Sequence, residues 1–171
     1  MVLLTALLCS DGYPTSRNMN AQAATSRTAP GFTESYYLEH AVGCGCILIA
    51  DDHAFFRELI AKALMTNGYR VDCAEDGEDA WDALCRKDFD LLITDHDMPR
   101  LTGLDLLRRV RASPFELPAI LISGMLPTDA EGFEEILAPG AALAKPFSLE
   151  QLLQVVNTIL LSQPESFRSR A

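Results

Sequence analysis

No stretch of this sequence approaches the roughly 18 consecutive apolar residues that a membrane-spanning helix requires, so a membrane partner is not expected. The opening run Met1-Val-Leu-Leu-Thr-Ala-Leu-Leu-Cys9 imitates a secretory signal, but it lacks a basic leading segment and Asp11 cuts it short. A disordered extension, or a start codon assigned upstream of a true start at Met19, is the expectation. Metal-site cysteine spacing is missing as well. Among the five cysteines, Cys44-Gly-Cys46 offers two thiols with no further Cys/His spacing, and an odd number without secretory features reads as reduced cytoplasmic thiols. Cys73 and Cys85 fall in apolar patterns and are expected to behave as small core hydrophobes. Basic residues are scarce: residues 46–163 hold 20 acids against 10 bases, which accounts for the whole net charge of −10. Such a surface is repelled by nucleic acid phosphates and anionic lipid, so no nucleic acid partner is expected.

What is present divides the chain into three. Residues 1–45 are rich in Ser, Thr, Ala, Asn and Gly without a sustained period, and read as a disordered N-terminal extension. Residues 162–171 read as a short polar tail. Between them, residues 46–161 show five apolar runs, at Cys46–Ala50, Tyr69–Ala74, Leu91–Thr94, Ala119–Ile122 and Ala141–Ala144. The first, third and fourth are nearly continuous in Ile and Leu, as strands buried on both faces of a parallel sheet should be. The intervening segments read as helices over 54–66, 77–87, 103–112, 128–137 and 148–161. Phe56, Ile60, Ala63 and Leu64 repeat at helical spacing in the first, and Asn67-Gly68 stops it. Ser148 with Glu150-Gln151 marks the start of the last. Strict β-α alternation predicts a doubly wound five-stranded parallel α/β domain with right-handed crossovers.

In such a sheet, reactive groups gather beyond the C-terminal ends of the strands. The first strand ends in Asp51-Asp52, the third in Asp95 and the fourth in Ser123, while the fifth runs into Lys145-Pro146. Each residue type has a physical task. Carboxylates roughly 4 Å apart repel by about 4 kcal/mol per pair at an effective dielectric of about 20, so a cluster of three calls for a cation. Hard oxygen ligands favour Mg²⁺. With charge neutralised, one carboxylate can attack a phosphorus centre, and a hydroxyl and an ammonium can then hold the phosphoryl oxygens. The assembly suits acceptance of phosphate on a carboxylate.

The ordered set Asp51-Asp52, Asp95-x-Asp97-Met98-Pro99 followed by Gly103, Ser123-Gly124, and Lys145-Pro146-Phe147 resembles the receiver domains of bacterial two-component response regulators. The resemblance implies a flavodoxin-like fold with strand order 2-1-3-4-5. It implies that Asp95 is the phosphoacceptor, that Asp51 and Asp52 organise Mg²⁺ with Asp95, and that the backbone carbonyl of Asp97 is a further ligand. Ser123 would contact the phosphoryl group and Lys145 would pair with it, with Pro146 after a cis peptide bond. The implied donor is a histidine kinase or a histidine phosphotransfer protein, and output would pass to an unknown downstream protein. Two positions depart from the commonest pattern. Ala142 stands where many members carry a switching Tyr or Phe, and Gly132 with Pro139-Gly140 weakens the fourth helix.

Blander readings apply elsewhere. His53 and His96 flank the acids and are read as solvated loop histidines rather than transition-metal ligands. The side chain of Asp97 either repels at the site or caps a turn. Arg108-Arg109-Val-Arg111 fits an exposed helix face, and Trp81 is expected to face the core. One rival function is a pseudo-receiver acting as a phosphorylation-independent interaction scaffold. Another is a phosphohydrolase of the haloacid-dehalogenase type, using Asp95-His-Asp97. There, however, the acidic nucleophile motif should lie on the first strand and the acid pair last, the reverse of the order here.

Overall fold

A computed structural model describes residues 45–162. The extension and tail expected from the sequence lie outside these residues, apart from Gly45 and Ser162. Strands β1 (Cys46–Ala50), β2 (Arg70–Ala74), β3 (Leu91–Asp95), β4 (Ala119–Ser123) and β5 (Gly140–Ala144) form one sheet in the order β2-β1-β3-β4-β5. Every neighbouring pair is parallel. Helices α1 (Ala54–Thr66), α2 (Gly77–Arg86), α3 (Gly103–Arg111) and α4 (Phe133–Leu137) make the crossovers, and α5 (Leu149–Ser162) follows β5. The expected fold and strand order are therefore observed.

Strands β1, β3 and β4 are buried along their whole length because helices cover both faces. Ile47, Ile49, Ile93, Ile120 and Ile122 pack on one side with Ile60 and Leu64 of α1 and Leu152 and Val156 of α5. Leu48, Leu92 and Leu121 pack on the other with Ala80 and Leu84 of α2, Leu107 and Val110 of α3, and Phe133 of α4. Each fully buried Leu or Ile contributes about 1.5–3 kcal/mol, so these three strands anchor the domain. The edges β2 and β5 are only partly covered.

Capping chemistry fixes where helices begin. Asp76 accepts the Glu78 and Asp79 N–H groups at the start of α2. Thr102 accepts the Asp105 N–H at the start of α3. Ser148 and Gln151 exchange side-chain and backbone bonds in a capping box at the start of α5, as their spacing predicts. The peptide bond before Pro146 is cis, as the resemblance implies, and so is the one before Pro139.

Several local expectations are corrected. Helix α4 is one turn long rather than spanning 128–137, because Gly132 takes φ 71°, the left-handed region, and ends the helical path on its N-terminal side. In α1 the inward stripe is Ile60, Ala61 and Leu64, and Phe56 is exposed; Arg57 points inward in its place and donates from Nη1 to the Asp51 carbonyl at 2.5 Å. Cys73 and Cys85 are exposed rather than core residues, since β2 is an edge strand and Cys85 lies on the outer side of α2. Arg111 does not belong to an exposed basic face. It is half-buried and donates to the carbonyls of Leu117, Ile136 and Leu137 at 2.7, 3.0 and 3.2 Å, tying α3 to the end of α4. Trp81 is half-buried, packed against Phe115 and covered by the Arg109 guanidinium 4.2 Å from its ring.

Candidate functional site

Parallel strands bring all five C-terminal ends to one edge, so residues far apart in sequence meet there. Asp51 follows β1, Asp95 closes β3, Ser123 closes β4 and Lys145 follows β5. Asp51 and Asp95 are each 3% exposed and Ser123 is fully enclosed, whereas Asp52 and the side chain of Asp97 face solvent. Lys145 Nζ stands 2.7 Å from Asp95 Oδ1, a charge contact between a partly exposed ammonium and a buried carboxylate. It also lies 5.7 Å from the centre of the Phe56 ring, which covers that side of the site.

The electrostatics favour an added cation. Burial raises the Asp51 carboxyl above its ordinary range, and the charge of Asp95 adds to the effect; the His53 N–H and Lys145 act in the opposite direction. Asp95 Oδ1 has no aligned hydrogen bond among the described residues. Two buried carboxylates and the adjoining Asp52 thus face one ammonium. Oxygen-rich, net-negative and only partly solvated, this donor set fits a hard divalent ion such as Mg²⁺.

The loop after β3 is held closely. Met98 is buried beneath it, and the Gly103 N–H donates to the His96 carbonyl at 3.0 Å. A side chain at Gly103 would collide with the Asp95 carbonyl, so only glycine lets α3 begin this near to the site. Arg100, at φ 63°, pairs with Asp76 and Asp79 and fastens the loop to the start of α2. Beyond β4, Ser123 faces its own loop: Oγ donates to the Met125 carbonyl at 2.7 Å and accepts the Met125 N–H at 3.0 Å.

The histidines differ from the solvated pair expected. His53 is exposed, yet its Nδ1 lies 2.7 Å from Asp52 Oδ1 and 3.8 Å from Asp51 Oδ1. His96 is half-buried, and its Nδ1 is enclosed without a hydrogen-bond partner among the described residues. Sequence reasoning missed Arg57, whose place in the first turn of α1 after the acid pair is the only signal that it reaches back to Asp51. It also missed the exposed apolar residues Phe55, Phe56 and Leu59, which run along α1 directly after the acids.

The response regulator receiver domain family matches residues 47–157, and the chain belongs to it. Response regulator MprA of Mycobacterium sp. (strain KMS) is 35% identical over 119 residues, covering 67% of this chain and 50% of the relative. The chain thus spans about half the length of the curated relatives it matches. Among solved structures, the Francisella response regulator 1452 receiver domain is similar with a TM-score of 0.63 at 27% identity, covering 68% of this chain and 97% of that one. Response regulator TrrA of Thermotoga maritima, in complex with Mg²⁺ and BeF, gives 0.61 at 27%, with 67% and 97% covered. Receiver domains of this family are generally signalling domains of two-component systems rather than classical enzymes, and membership implies a phosphoacceptor role. No helix of the described residues is long and apolar enough to cross a membrane.

Proposed function

We propose that residues 46–161 act as the receiving unit of a phosphorelay and that Asp95 takes the phosphoryl group from a histidine kinase or a histidine phosphotransfer protein. The observation that carries this reading is the Lys145–Asp95 contact at the end of the central strand, with the Asp51 carboxylate close enough to act on Asp95 electrostatically. An Asp95 oxygen attacks phosphorus, the phosphorus–nitrogen bond to the donor imidazole breaks, and the imidazole keeps the electron pair and takes up a proton. Asp51, Asp52, Asp95 and the Asp97 backbone carbonyl would hold Mg²⁺, which when bound neutralises the charge of the carboxylates and the incoming phosphoryl group. Lys145 stays with the phosphoryl oxygens. Ser123 reaches them only after giving up its bonds to Met125.

The exposed Phe55, Phe56 and Leu59 border the acids and supply an apolar surface on which a donor protein can rest. With the charge of the domain against phosphate backbones, output is expected through a downstream protein rather than nucleic acid. The scaffold alternative has no support: it leaves the acid set and Lys145 without a task. A titration with beryllofluoride and Mg²⁺, followed by NMR, tests the reading. Resonances of Asp95, Ser123 and Lys145 should move together, and Asp52→Asn should weaken the response at least tenfold. A spectrum unchanged by Mg²⁺ and beryllofluoride together would exclude it.

A further inference from the structure

We propose that Phe56 is a positioning residue that shields an acyl phosphate on Asp95 from water and so lengthens the life of the phosphorylated state. The inference rests on the phosphoacceptor reading and adds to it a residue outside the acid, hydroxyl and ammonium set. Phe56 lies in the first turn of α1 and is 44% exposed. Its outward position follows from its neighbour, because Arg57 takes the inward place with its guanidinium on the Asp51 carbonyl. The ring is thereby left over the site rather than in the core. Its centre stands 5.7 Å from Lys145 Nζ, within the range of a cation–π contact. Two further rings hold it there: His53 and Phe55 meet it edge-on at 6.4 and 6.0 Å, with interplanar angles of 82° and 79°.

Position makes the ring a barrier. Asp95 and Ser123 are buried, whereas Lys145 is partly exposed and marks the side on which solvent enters. In hydrolysis of an acyl phosphate, a water oxygen bonds to phosphorus as the bond between phosphorus and the Asp95 oxygen breaks. The carboxylate leaves with the electron pair, and inorganic phosphate departs carrying both water protons. In-line displacement brings that water from the side opposite Asp95, which here is the solvent side. A phenyl ring on Lys145 borders this approach and offers no group that could orient or deprotonate a water. It excludes solvent and steadies the ammonium beside Asp95.

The lifetime of the phosphorylated full chain tests this. Wild type, Phe56→Ala, Phe56→Tyr and Met65→Ala are loaded with acetyl phosphate and Mg²⁺, freed of donor, and followed by intact mass. Acetyl phosphate docks on no protein surface, and each decay is normalised to its own starting label, so neither docking nor loading rate enters. Phe56→Ala should lose its label faster by about fivefold or more, and Phe56→Tyr, which keeps the ring, should recover most of the wild-type lifetime. Met65→Ala, which removes an exposed apolar side chain from the far end of α1, should decay as wild type does. NMR separates shielding from a merely structural role. The ring-current shift of the Lys145 side-chain protons should vanish in Phe56→Ala and persist in Phe56→Tyr, with little change in the urea midpoint. Decay of Phe56→Ala within twofold of wild type, or equal acceleration by Met65→Ala, would overturn the shield and leave phosphorylation at Asp95 standing. Failure of wild type to take up label would remove the phosphoacceptor reading and the shield with it.

Discussion

Lys145 Nζ meets Asp95 Oδ1 at 2.7 Å, joining the residue after β5 to the last residue of β3 across the end of β4. The contact places the only ammonium of the site on the carboxylate that sits deepest in it. Replacing Lys145 with Gln should lower the stability of the metal-free protein by about 1–3 kcal/mol, because a buried charge loses its partner. Urea unfolding in EDTA measures it. Added Mg²⁺ should recover part of the loss.

Asp51 carries a pH signature. Burial, then the charge of Asp95, hold its carboxyl above the ordinary 3.8 in the folded state. The folded protein therefore binds that proton more tightly than the unfolded chain, and stability is lost as pH rises from 3.8 through the folded value. In metal-free protein, Asp51→Asn should have a higher urea midpoint than wild type at neutral pH. The gain should disappear below pH 3.8 and be reversed by Mg²⁺, which stabilises only the wild type.

The α/β order and the site were legible for one reason: buried central strands are continuous apolar runs, and each run ends on the residue that the parallel sheet delivers to the common edge. Asp51, Asp95, Ser123 and Lys145 could all be placed that way. Local phase was harder to read. Arg57 turned inward because its guanidinium finds the Asp51 carbonyl, which displaced Phe56 to the surface and shifted the apparent apolar stripe of α1. Arg111 looked like part of a basic face, but the carbonyls it satisfies come from residues up to 28 positions away. Side-chain contacts such as His53 with Asp52 depend on rotamers that residue spacing does not specify.

Asp76, through Arg100, ties the loop after β3 to α2. Burial alone would raise its carboxyl, but the Asp79 N–H, Arg100 and the Glu78 N–H outweigh burial and hold it below 3.8. Its contribution is therefore present above 3.8 and lost as pH falls through the lower folded value. Asp76→Ala removes the cap and the Arg100 partner together and should cost about 2 kcal/mol at pH 7. Asp76→Asn keeps capping capacity and should cost less. Thermal unfolding between pH 2 and 7 should show the penalty shrinking on the acid side.

Ser123 predicts where activation is felt. Its hydroxyl closes a turn with both backbone groups of Met125, and the one-turn helix α4 follows behind Gly132. Drawing Oγ toward a phosphoryl group opens that turn, and no aromatic at Ala142 is present to carry a ring movement. Hydrogen exchange with beryllofluoride should therefore change mainly over residues 124–140, as a change of local order. Ser123→Ala, which lacks the latch, should exchange faster there before any activation. Changes confined to residues 51–57 would contradict this route.

Phosphorylation at Asp95 is the central claim, and intact mass after incubation with acetyl phosphate and Mg²⁺ tests it most directly. Wild type should gain the mass of one phosphoryl group, lose it again on treatment with hydroxylamine, and stay unmodified in EDTA. Asp95→Asn, which keeps the shape of a side chain only 2% exposed, should gain nothing. An equal gain by the variant would place the acceptor on another residue and contradict the account.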